Sequence, residues 1–332
     1  MHIVQPEKWN VGIELVSLGV QLGINVVDNL QLQAQGYPAT PEQIEKRTGI
    51  RQRHHVHTES SADLAVLACK ESLQRGNIDT NRIEQLVVAS SSPDLLIPTL
   101  ASRIHQMLEM NNAVAHNISA SCSGFLFALD IACRSMLTGL QSTLICATET
   151  RSKQLDITDK ATGALFGDAA GAALLGIGPV SQGLLAVGIT NRFSKQDTVT
   201  LQGGENAKLH MHNGAQVYFE AVEGMVDLSQ QFLTRIGVAW DDIDWIIPHQ
   251  ANARILKRFC WRLNLPEEKV FLNLSQVGNT SSASIPLALY QAIQKGVIQQ
   301  GQLILLLAVG AGFTGGAALI LVDEKLVQAL KT

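Results

Sequence analysis

Stretches with helical periodicity alternate along this chain with runs that are apolar throughout. Residues 61–75 place apolar side chains at helical spacing, begin with serine and stop before Gly76, a pattern that predicts a helix. Residues 83–89 are mostly apolar and lead into three serines, which predicts a buried strand that ends in a loop. Helices that alternate with fully apolar strands indicate an α/β fold in which both faces of each sheet are covered.

The second part of the chain repeats this order. A helical pattern at 221–236 is followed by an apolar strand at 243–248, as in the first part. The closing strands are also alike, because Gly-Ala-Ala-Leu-Leu at 171–175 matches Gly-Ala-Ala-Leu-Ile at 316–320. Between the repeats, residues 191–213 are polar and lack apolar periodicity, which predicts a connecting or lid-like excursion. We therefore predict a duplicated α/β unit with a pseudo-twofold axis.

Each predicted half carries potentially reactive side chains where an apolar run meets a turn. The first half, 1–178, contains Ser-Ala-Ser-Cys-Ser-Gly, which places Cys122 at the start of an apolar helix. The second half, 179–332, places His249 at the end of an apolar strand and Asn279 in Gly-Asn-Thr-Ser-Ser-Ala-Ser. Because a pseudo-twofold axis brings equivalent turns together, we expect these three side chains to share one cleft.

The composition favours a protein with a large core and reduced thiols. The 332 residues are 46% hydrophobic and 16% charged, with 27 glycines for tight turns. No apolar run reaches the roughly 18 residues of a membrane span, and the first residues lack signal-peptide features, so we predict a cytoplasmic protein without membrane attachment. Five cysteines without a disulfide spacing favour free thiols, and a net charge of −4 argues against nucleic-acid binding.

Cys122 is the predicted nucleophile. The unsatisfied N–H groups of a helix N-terminus favour thiolate, so we expect its pKa to lie below the ordinary value of about 8.5. Its small neighbours would let a thioester carbonyl approach the backbone closely. The alternative for Cys122 is a buried structural cysteine, the role that we assign to Cys69, Cys133 and Cys146.

His249 and Asn279 have ordinary structural interpretations as well. A histidine at the end of an apolar strand is often a core residue, and an asparagine after glycine is common in turns. Together, however, imidazole and carboxamide N–H groups are neutral donors that can stabilise an enolate oxygen without protonating the carbanion. Decarboxylation of a malonyl thioester generates such an enolate, which an acylated Cys122 could capture.

The glycine-rich segment 310–315 fits the dinucleotide fingerprint Gly-x-Gly-x-x-Gly, but the residues after it predict a strand rather than a helix. We therefore assign this segment to a turn whose backbone N–H groups face the cleft. The histidines at 54–57 and 210–212 lack acidic or thiol partners nearby, so neither group predicts a metal site. No metal or other cofactor is expected.

With these motifs the chain resembles a β-ketoacyl-acyl-carrier-protein synthase III of the thiolase superfamily, over residues 15–322. Further motifs that carry the resemblance are Arg-Thr-Gly-Ile-Arg at 47–51, Phe-Gly-Asp-Ala-Ala-Gly at 166–171 and Gly-Ala-Gly-Phe-Thr at 310–314. The resemblance implies a five-layered αβαβα thiolase-like fold. It also implies acylation of Cys122, decarboxylation assisted by His249 and Asn279, and an oxyanion hole formed by the N–H groups of Cys122 and Ala311.

The resemblance further implies a homodimer that uses acyl thioesters of coenzyme A or of a carrier protein. In such a dimer the loop 93–98 would line the acyl pocket of the partner. Ile97 stands in this loop where the family usually has a phenylalanine. We therefore expect an acyl pocket of altered shape.

Two positions that would face the adenine of coenzyme A also depart from the family pattern. Gln43 stands where a tryptophan is usual, and Lys160 stands where its arginine partner is usual. Losing the tryptophan removes a stacking surface worth about 1–3 kcal/mol. Arg47 and Asn252 remain for the polar parts of the substrate. The changes at Gln43 and Lys160 therefore predict an altered acyl donor.

Basic side chains recur at helical spacing directly after His249, at Arg254, Lys257 and Arg258. By resemblance they would dock an acidic acyl carrier protein beside the cleft. Against docking, Phe219 stands where the family often has lysine. The alternative interpretation is a solvated helix face.

We predict a ping-pong decarboxylative Claisen condensation of an acyl thioester with a malonyl-acyl-carrier-protein extender, in fatty-acid or related specialised biosynthesis. One alternative keeps the acyl-enzyme but transfers the acyl group to an alcohol or an amine. Another alternative is a catalytically silent subunit of a heterodimer.

Overall fold

The computed structural model describes residues 1–191, 197–202 and 207–331. The strands are β1 His2–Val4, β2 Gly12–Leu22, β3 Asn25–Asp28, β4 Gln52–His55, β5 Gln85–Ala89, β6 Val114–Ile118, β7 Ser142–Glu149, β8 Ala169–Gly178, β9 Gly183–Asn191, β10 Val199–Leu201, β11 Leu209–Met211, β12 Trp245–Pro248, β13 Leu303–Gly310 and β14 Thr314–Leu321. The α-helices are α1 Asn29–Ala34, α2 Pro41–Thr48, α3 Ser61–Arg75, α4 Leu100–Met107, α5 Gly124–Leu137, α6 Gly214–Ile236, α7 Ala253–Leu263, α8 Leu274–Val277, α9 Ser284–Gln294 and α10 Glu324–Lys331.

Two five-stranded mixed sheets carry the same internal order. In the first sheet, β2, β8 and β7 are antiparallel neighbours in turn, and β5 runs parallel to β7 and to the edge strand β6. In the second sheet, β9, β14 and β13 are antiparallel neighbours in turn, and β12 runs parallel to β13. The strands β9–β14–β13–β12 therefore repeat β2–β8–β7–β5, which is the internal repeat predicted from the sequence.

The predicted boundary at 178/179 separates the two sheets except at the beginning of the chain. β8 ends at Gly178 and β9 begins at Gly183, but β1 pairs antiparallel with β9, with Val4 opposite Val187. Residues 2–4 therefore lie in the sheet of the second half. A strand of three residues carries too little periodicity to be predicted from its sequence. That residues 1–178 and 179–332 form two separate units therefore stays a prediction.

The hydrophobic core is divided by the two sheets. α5 and α9 lie between the sheets and share one core with both, which includes Phe125, Leu129 and Leu289. α3 and α4 cover the outer face of the first sheet, and α6 and α7 cover the outer face of the second. The order helix, sheet, helix, sheet, helix is the five-layered fold that the resemblance implied.

Local sequence explains where these elements begin and end. α3 begins after Ser60, whose hydroxyl accepts from the N–H of Asp63 while the Asp63 carboxylate accepts from the N–H of Ser60. The strand predicted at 83–89 begins only at Gln85, because a one-turn 3₁₀ helix at Thr80–Arg82 precedes it. All five residues of β5 are buried, as an apolar strand between two parallel neighbours requires.

The polar segment 191–213 is only partly an excursion. Its described residues include the antiparallel ribbon of β10 and β11, and residues 192–196 and 203–206 of the predicted excursion lie outside the described residues. α6 begins at Gly214, earlier than the predicted start at 221, because the Asn213 side chain accepts a backbone N–H of its first turn. Within the described ranges no helix is both long and apolar enough to cross a bilayer.

Candidate active site

A cavity of about 560 Å³ is lined by residues of both halves. Cys122, His249 and Asn279 all lie on its wall, so the structure brings together the three side chains that are far apart in sequence. Much of the remaining wall is apolar and includes Met225 and Phe313. A cavity of this size and lining suits a flexible, mostly apolar ligand with a few polar contacts.

Cys122 lies in a one-turn 3₁₀ helix directly before α5. The preceding Ser121 has a φ of 48°, in the left-handed region that side chains with a Cβ rarely adopt. The turn is held by the second half. The Ser123 hydroxyl donates to the Thr314 hydroxyl at 2.6 Å, and the Thr314 hydroxyl donates to the carbonyl of Ala120 at 2.9 Å.

The end of β13 packs against the backbone of this turn. A Cβ at Gly310 would lie 2.9 Å from the backbone nitrogen of Cys122, so only glycine fits there without a shift. Ala311 follows directly and also lines the cavity. The two N–H groups expected to form an oxyanion hole therefore belong to segments in contact.

The prediction of a lowered pKa for Cys122 is wrong. Burial raises the pKa of the thiol, and the carboxylate of Glu149 raises it further. The Ser281 hydroxyl, 3.7 Å from the sulfur, and the Arg151 guanidinium oppose this shift without cancelling it. One helix end contributes less than the cost of moving a thiolate out of water. At neutral pH the free protein therefore holds Cys122 as a thiol.

His249 is buried and neutral. It follows β12, its backbone N–H donates to the carbonyl of Leu307 at 2.7 Å, and it is 5% exposed. Burial lowers the pKa of the imidazole to about 4, with the backbone of Ser281 opposing the shift. The Ser281 backbone lies near enough to the ring to oppose the shift, but within the described part of the chain neither ring nitrogen makes a hydrogen bond of good geometry, although buried polar groups usually make one. The ring is therefore ready to bond to an incoming group.

The neighbouring Gln250 anchors this loop. Its side-chain amide donates to the carbonyl of Phe271 and accepts from the N–H groups of Asn273 and Leu274, each at 3.0 Å. Its backbone N–H donates to the Ser284 hydroxyl at 3.0 Å. These bonds tie the end of β12 to the segment before α8 and to the start of α9, which fixes the position of the imidazole.

Asn279 is held by its backbone and by one end of its amide. Its N–H donates to the carbonyl of Leu165 at 2.8 Å, and its carbonyl accepts from the N–H of Gly167 at 3.0 Å. The side-chain oxygen accepts from the N–H of Ser281 at 2.9 Å. Because the oxygen is used in this turn, the NH₂ end of the amide is the end that a bound substrate can use.

Three of the predicted substrate residues line the cavity, namely Arg47, Lys160 and Asn252. Asn252 caps α7 and donates to the carbonyl of Arg47 at 3.1 Å, so much of its hydrogen-bonding capacity is used inside the protein. Gln43 does not line the cavity. Its side-chain oxygen accepts from the N–H of Thr40 at 3.1 Å in the capping box of α2.

Ile97 also lies away from this cavity. It is 89% exposed, and Leu96 beside it is 81% exposed. Exposed apolar side chains grouped on one loop are typical of a contact surface.

The outward face of α7 is basic, since Arg254, Lys257 and Arg258 are all exposed. Arg254 also reaches the cavity wall, and its guanidinium lies 5.8 Å from the ring centre of Tyr218. The guanidinium of Arg258 lies 3.8 Å from the ring centre of Trp261. The predicted docking residues therefore form one surface beside the cavity.

The histidines near the start of the chain have structural contacts. His54 contacts the carbonyl of Gly23 at 3.0 Å, and His55 contacts the carbonyl of Phe166 at 3.2 Å. Among the described residues, no group of three histidine, cysteine or acidic side chains is placed to hold a metal ion.

Sequence patterns did not reveal Glu149 and Arg151. Glu149 is fully buried at the end of β7, and its carboxylate lies 3.7 Å from the guanidinium of Arg151, which is 6% exposed. Both charges act on the thiol of Cys122. The only signal in the sequence is that two charged residues follow an apolar strand directly, and it does not show that they are buried or what they contact.

The neutral state of His249 should make the protein less stable in mild acid. Since its folded pKa of about 4 lies below the ordinary 6.5, the unfolded chain binds the proton first, and this contribution to the free energy of unfolding is lost as the pH falls from 6.5 towards 4. Between pH 7.5 and pH 5, the free energy of unfolding should therefore fall by about 2 kcal/mol more in the wild type than in His249→Ala. Urea unfolding of both proteins measures the difference, and equal pH dependence would contradict it.

Comparisons with known proteins identify the family of this chain. The family model of 3-Oxoacyl-[acyl-carrier-protein (ACP)] synthase III matches residues 116–191, and the model of its C-terminal part matches residues 233–322. The Beta-ketoacyl-[acyl-carrier-protein] synthase III of Aquifex aeolicus is 34% identical over 311 residues, which cover 93% of this chain and 99% of that protein. Its counterpart in Paramagnetospirillum magneticum is 36% identical over 92% of this chain and 98% of that protein.

Solved structures are similar as well. The 3-oxoacyl-(acyl carrier protein) synthase III of Pseudomonas aeruginosa has a TM-score of 0.90 at 33% identity and covers 94% of this chain and 99% of its own. A priming beta-ketosynthase from a polyketide biosynthetic pathway has a TM-score of 0.88 at 29% identity, with 94% and 96% covered. By sequence and by structure, this chain belongs to the 3-oxoacyl-[acyl-carrier-protein] synthase III family of acyltransferases, the family that its motifs predicted.

Proposed function

We propose that this protein catalyses a decarboxylative Claisen condensation of an acyl thioester with a malonyl thioester on an acyl carrier protein, in fatty-acid or related specialised biosynthesis. One observation supports this most: a thiol, a neutral imidazole without a hydrogen bond among the described residues, and an amide meet in one cavity. The thiol can carry an acyl group covalently. The two neutral donors can stabilise an enolate.

In the first step Cys122 takes the acyl group. Its sulfur bonds to the thioester carbonyl carbon, and the bond from that carbon to the donor sulfur then breaks. The N–H groups of Cys122 and Ala311 would hold the negative oxygen of the tetrahedral intermediate. Because Cys122 is a thiol in the free protein, its proton leaves during this step, and the departing donor is released as a free thiol.

In the second step the malonyl group loses carbon dioxide. The bond to its carboxylate breaks, and the electron pair forms an enolate whose oxygen we assign to His249 and to the NH₂ end of Asn279. Each such donor lowers the barrier by about 3 kcal/mol. Neutral His249 is a poor acid, so the carbanion attacks the acyl carbon on Cys122 rather than taking a proton. The sulfur–carbon bond then breaks, the 3-oxoacyl product leaves on its carrier, and Cys122 regains a proton from solvent.

The substrate arm is proposed to lie between Arg47 and Lys160. Both residues line the cavity and carry positive charge, which suits the phosphate of a carrier-bound arm or of coenzyme A. The reaction as written consumes only thioesters and a proton, so it needs no metal or organic cofactor.

We propose that the enzyme is a cytoplasmic homodimer. The loop 93–98 exposes Leu95, Leu96 and Ile97, with 49%, 81% and 89% of each residue exposed. Burying these side chains against a second copy would be favourable, and would place them at the partner's acyl pocket. The strand β6 leaves an open edge on the first sheet, where Val114 is 62% exposed, and a second copy could cover it.

Separate assays of the two half-reactions test the residue roles. Cys122→Ala should abolish the acyl adduct in intact-protein mass spectrometry, because the covalent site is gone. Asn279→Ala should keep the adduct and lower malonyl-dependent release of carbon dioxide about 10²-fold or more, because one enolate donor is lost. Cys260→Ser, outside the cavity, is the control and should keep both activities. Condensation by Cys122→Ala, or acyl transfer without carbon dioxide release, would contradict the proposal.

Free coenzyme A should bind weakly. The position expected to stack on its adenine is Gln43, whose side chain instead caps α2, and a missing aromatic surface removes about 1–3 kcal/mol. In titration calorimetry Gln43→Trp should tighten binding about tenfold. Low-micromolar affinity of the wild type for free coenzyme A would refute this expectation.

The basic face of α7 should matter only for carrier-bound substrates. Lys257→Glu with Arg258→Glu, two exposed residues outside the cavity wall, should raise KM for malonyl-acyl-carrier protein about tenfold or more and leave KM for malonyl-pantetheine nearly unchanged, because electrostatic docking acts on the acidic carrier alone. Lys70→Glu with Arg82→Glu makes the same charge change on exposed residues of the first half and is the control. Unchanged kinetics with the carrier protein would show that the face is merely solvated.

A further inference from the structure

Behind the nucleophile lies a buried carboxylate that the steps above do not use. Glu149 ends β7 and is fully buried. Its carboxylate accepts from the hydroxyls of Ser92 at 2.5 Å, Ser282 at 2.7 Å and Ser91 at 3.1 Å, and it lies 3.7 Å from the guanidinium of Arg151. Donors from several segments therefore converge on this one carboxylate.

This carboxylate reaches the turns that carry both Cys122 and Asn279. One of its oxygens accepts from the Ser282 hydroxyl and, at 3.4 Å, from the Ser281 hydroxyl. The Ser281 hydroxyl in turn lies 3.7 Å from the sulfur of Cys122. Ser281 therefore lies between the carboxylate, the thiol and the amide.

Ser281 holds Asn279 only in an unusual backbone conformation. Its φ of 50° is left-handed, which costs a residue with a Cβ about 1–2 kcal/mol, and in this conformation its N–H donates to the side-chain oxygen of Asn279. The hydrogen bonds from Ser281 and Ser282 to Glu149 offset this cost. The turn is also confined from the other side, since a Cβ at Gly124 would lie 3.2 Å from the Cβ of Ser282.

We propose that Glu149 is a positioning residue for the condensation: its buried carboxylate holds the turn of Ser281 and Ser282 and thereby aims the NH₂ end of Asn279 at the enolate oxygen. This inference rests on the proposed function of the site. The same negative charge, opposed by Arg151, helps to keep Cys122 a thiol before an acyl donor binds.

Glu149→Gln tests the positioning role. The amide keeps the size of the side chain, but only one of its two ends is an acceptor, so it cannot accept from the Ser281–Ser282 turn and from Ser92 at the same time. We expect kcat for malonyl decarboxylation to fall about 10²-fold with little change in KM, because a misplaced donor loses most of its effect. Acylation of Cys122 at neutral pH should fall much less or rise.

The reactivity of Cys122 gives a readout that a purely structural role would not change. Without the negative charge of Glu149, Arg151 acts on the sulfur unopposed, so alkylation by iodoacetamide should reach its midpoint at lower pH. Glu149→Asp keeps the negative charge but moves it farther from the serine turn, because the side chain is one carbon shorter. The pH midpoint of its alkylation should therefore stay nearer to that of the wild type, while decarboxylation still falls. Glu71→Gln removes a hydrogen-bonded carboxylate away from the cavity and, as the matched control, should change neither.

Should Glu149→Gln fail to fold, Ser282→Ala removes one hydrogen bond to the same carboxylate and permits the same comparison of half-reactions, with a smaller loss. Equal losses in acylation and decarboxylation, or an unmoved alkylation midpoint in Glu149→Gln, would overturn the proposal. A wild-type protein that releases no carbon dioxide from malonyl thioesters would instead overturn the proposed function, and the alkylation comparison would still test the charge of Glu149.

Discussion

The site depends on the close approach of two turns, one from each half, between the two sheets. A Cβ at Gly124 would lie 3.2 Å from the Cβ of Ser282 and 3.1 Å from the Cβ of Ala89, so the approach leaves no room for a side chain. Each turn passes through a left-handed serine, Ser121 or Ser281, into a central helix, α5 or α9. Because both sheets pack on these helices, the thiol and the amide meet on a rigid frame.

Burial controls the protonation of the site more than the helix end does. It lowers the pKa of His249 to about 4 and raises the pKa of Cys122, so both groups are neutral at pH 7. The charged pair of Glu149 and Arg151 lies behind them and is itself buried. Neutral groups at the reacting atoms suit a reaction that must form a carbanion without protonating it, while the paired charges behind them can hold the turns.

Periodicity, repeated motifs and the resemblance were enough to predict the layered fold and the meeting of Cys122, His249 and Asn279. Both the fold and the meeting of these residues depend on local patterns and on the symmetry of the two halves. They could not predict the raised pKa of Cys122, since desolvation depends on how deeply the folded chain covers the sulfur. The sequence could not predict that Glu149 belongs to the site, because its partners come from loops that are far apart in sequence. The role of Gln43 as a helix cap, by contrast, follows from the capping-box motif Thr-x-x-Gln that begins at Thr40.

Two neutral donors that share one enolate oxygen are the centre of the proposed chemistry. The most direct measurement is a crystal structure of the protein acylated at Cys122 with a non-hydrolysable malonyl thioester analogue bound. We expect the carbonyl oxygen of the analogue to lie about 3 Å from a ring nitrogen of His249 and from the side-chain nitrogen of Asn279. An analogue whose oxygen is held by other groups, with His249 and Asn279 out of contact, would contradict this mechanism.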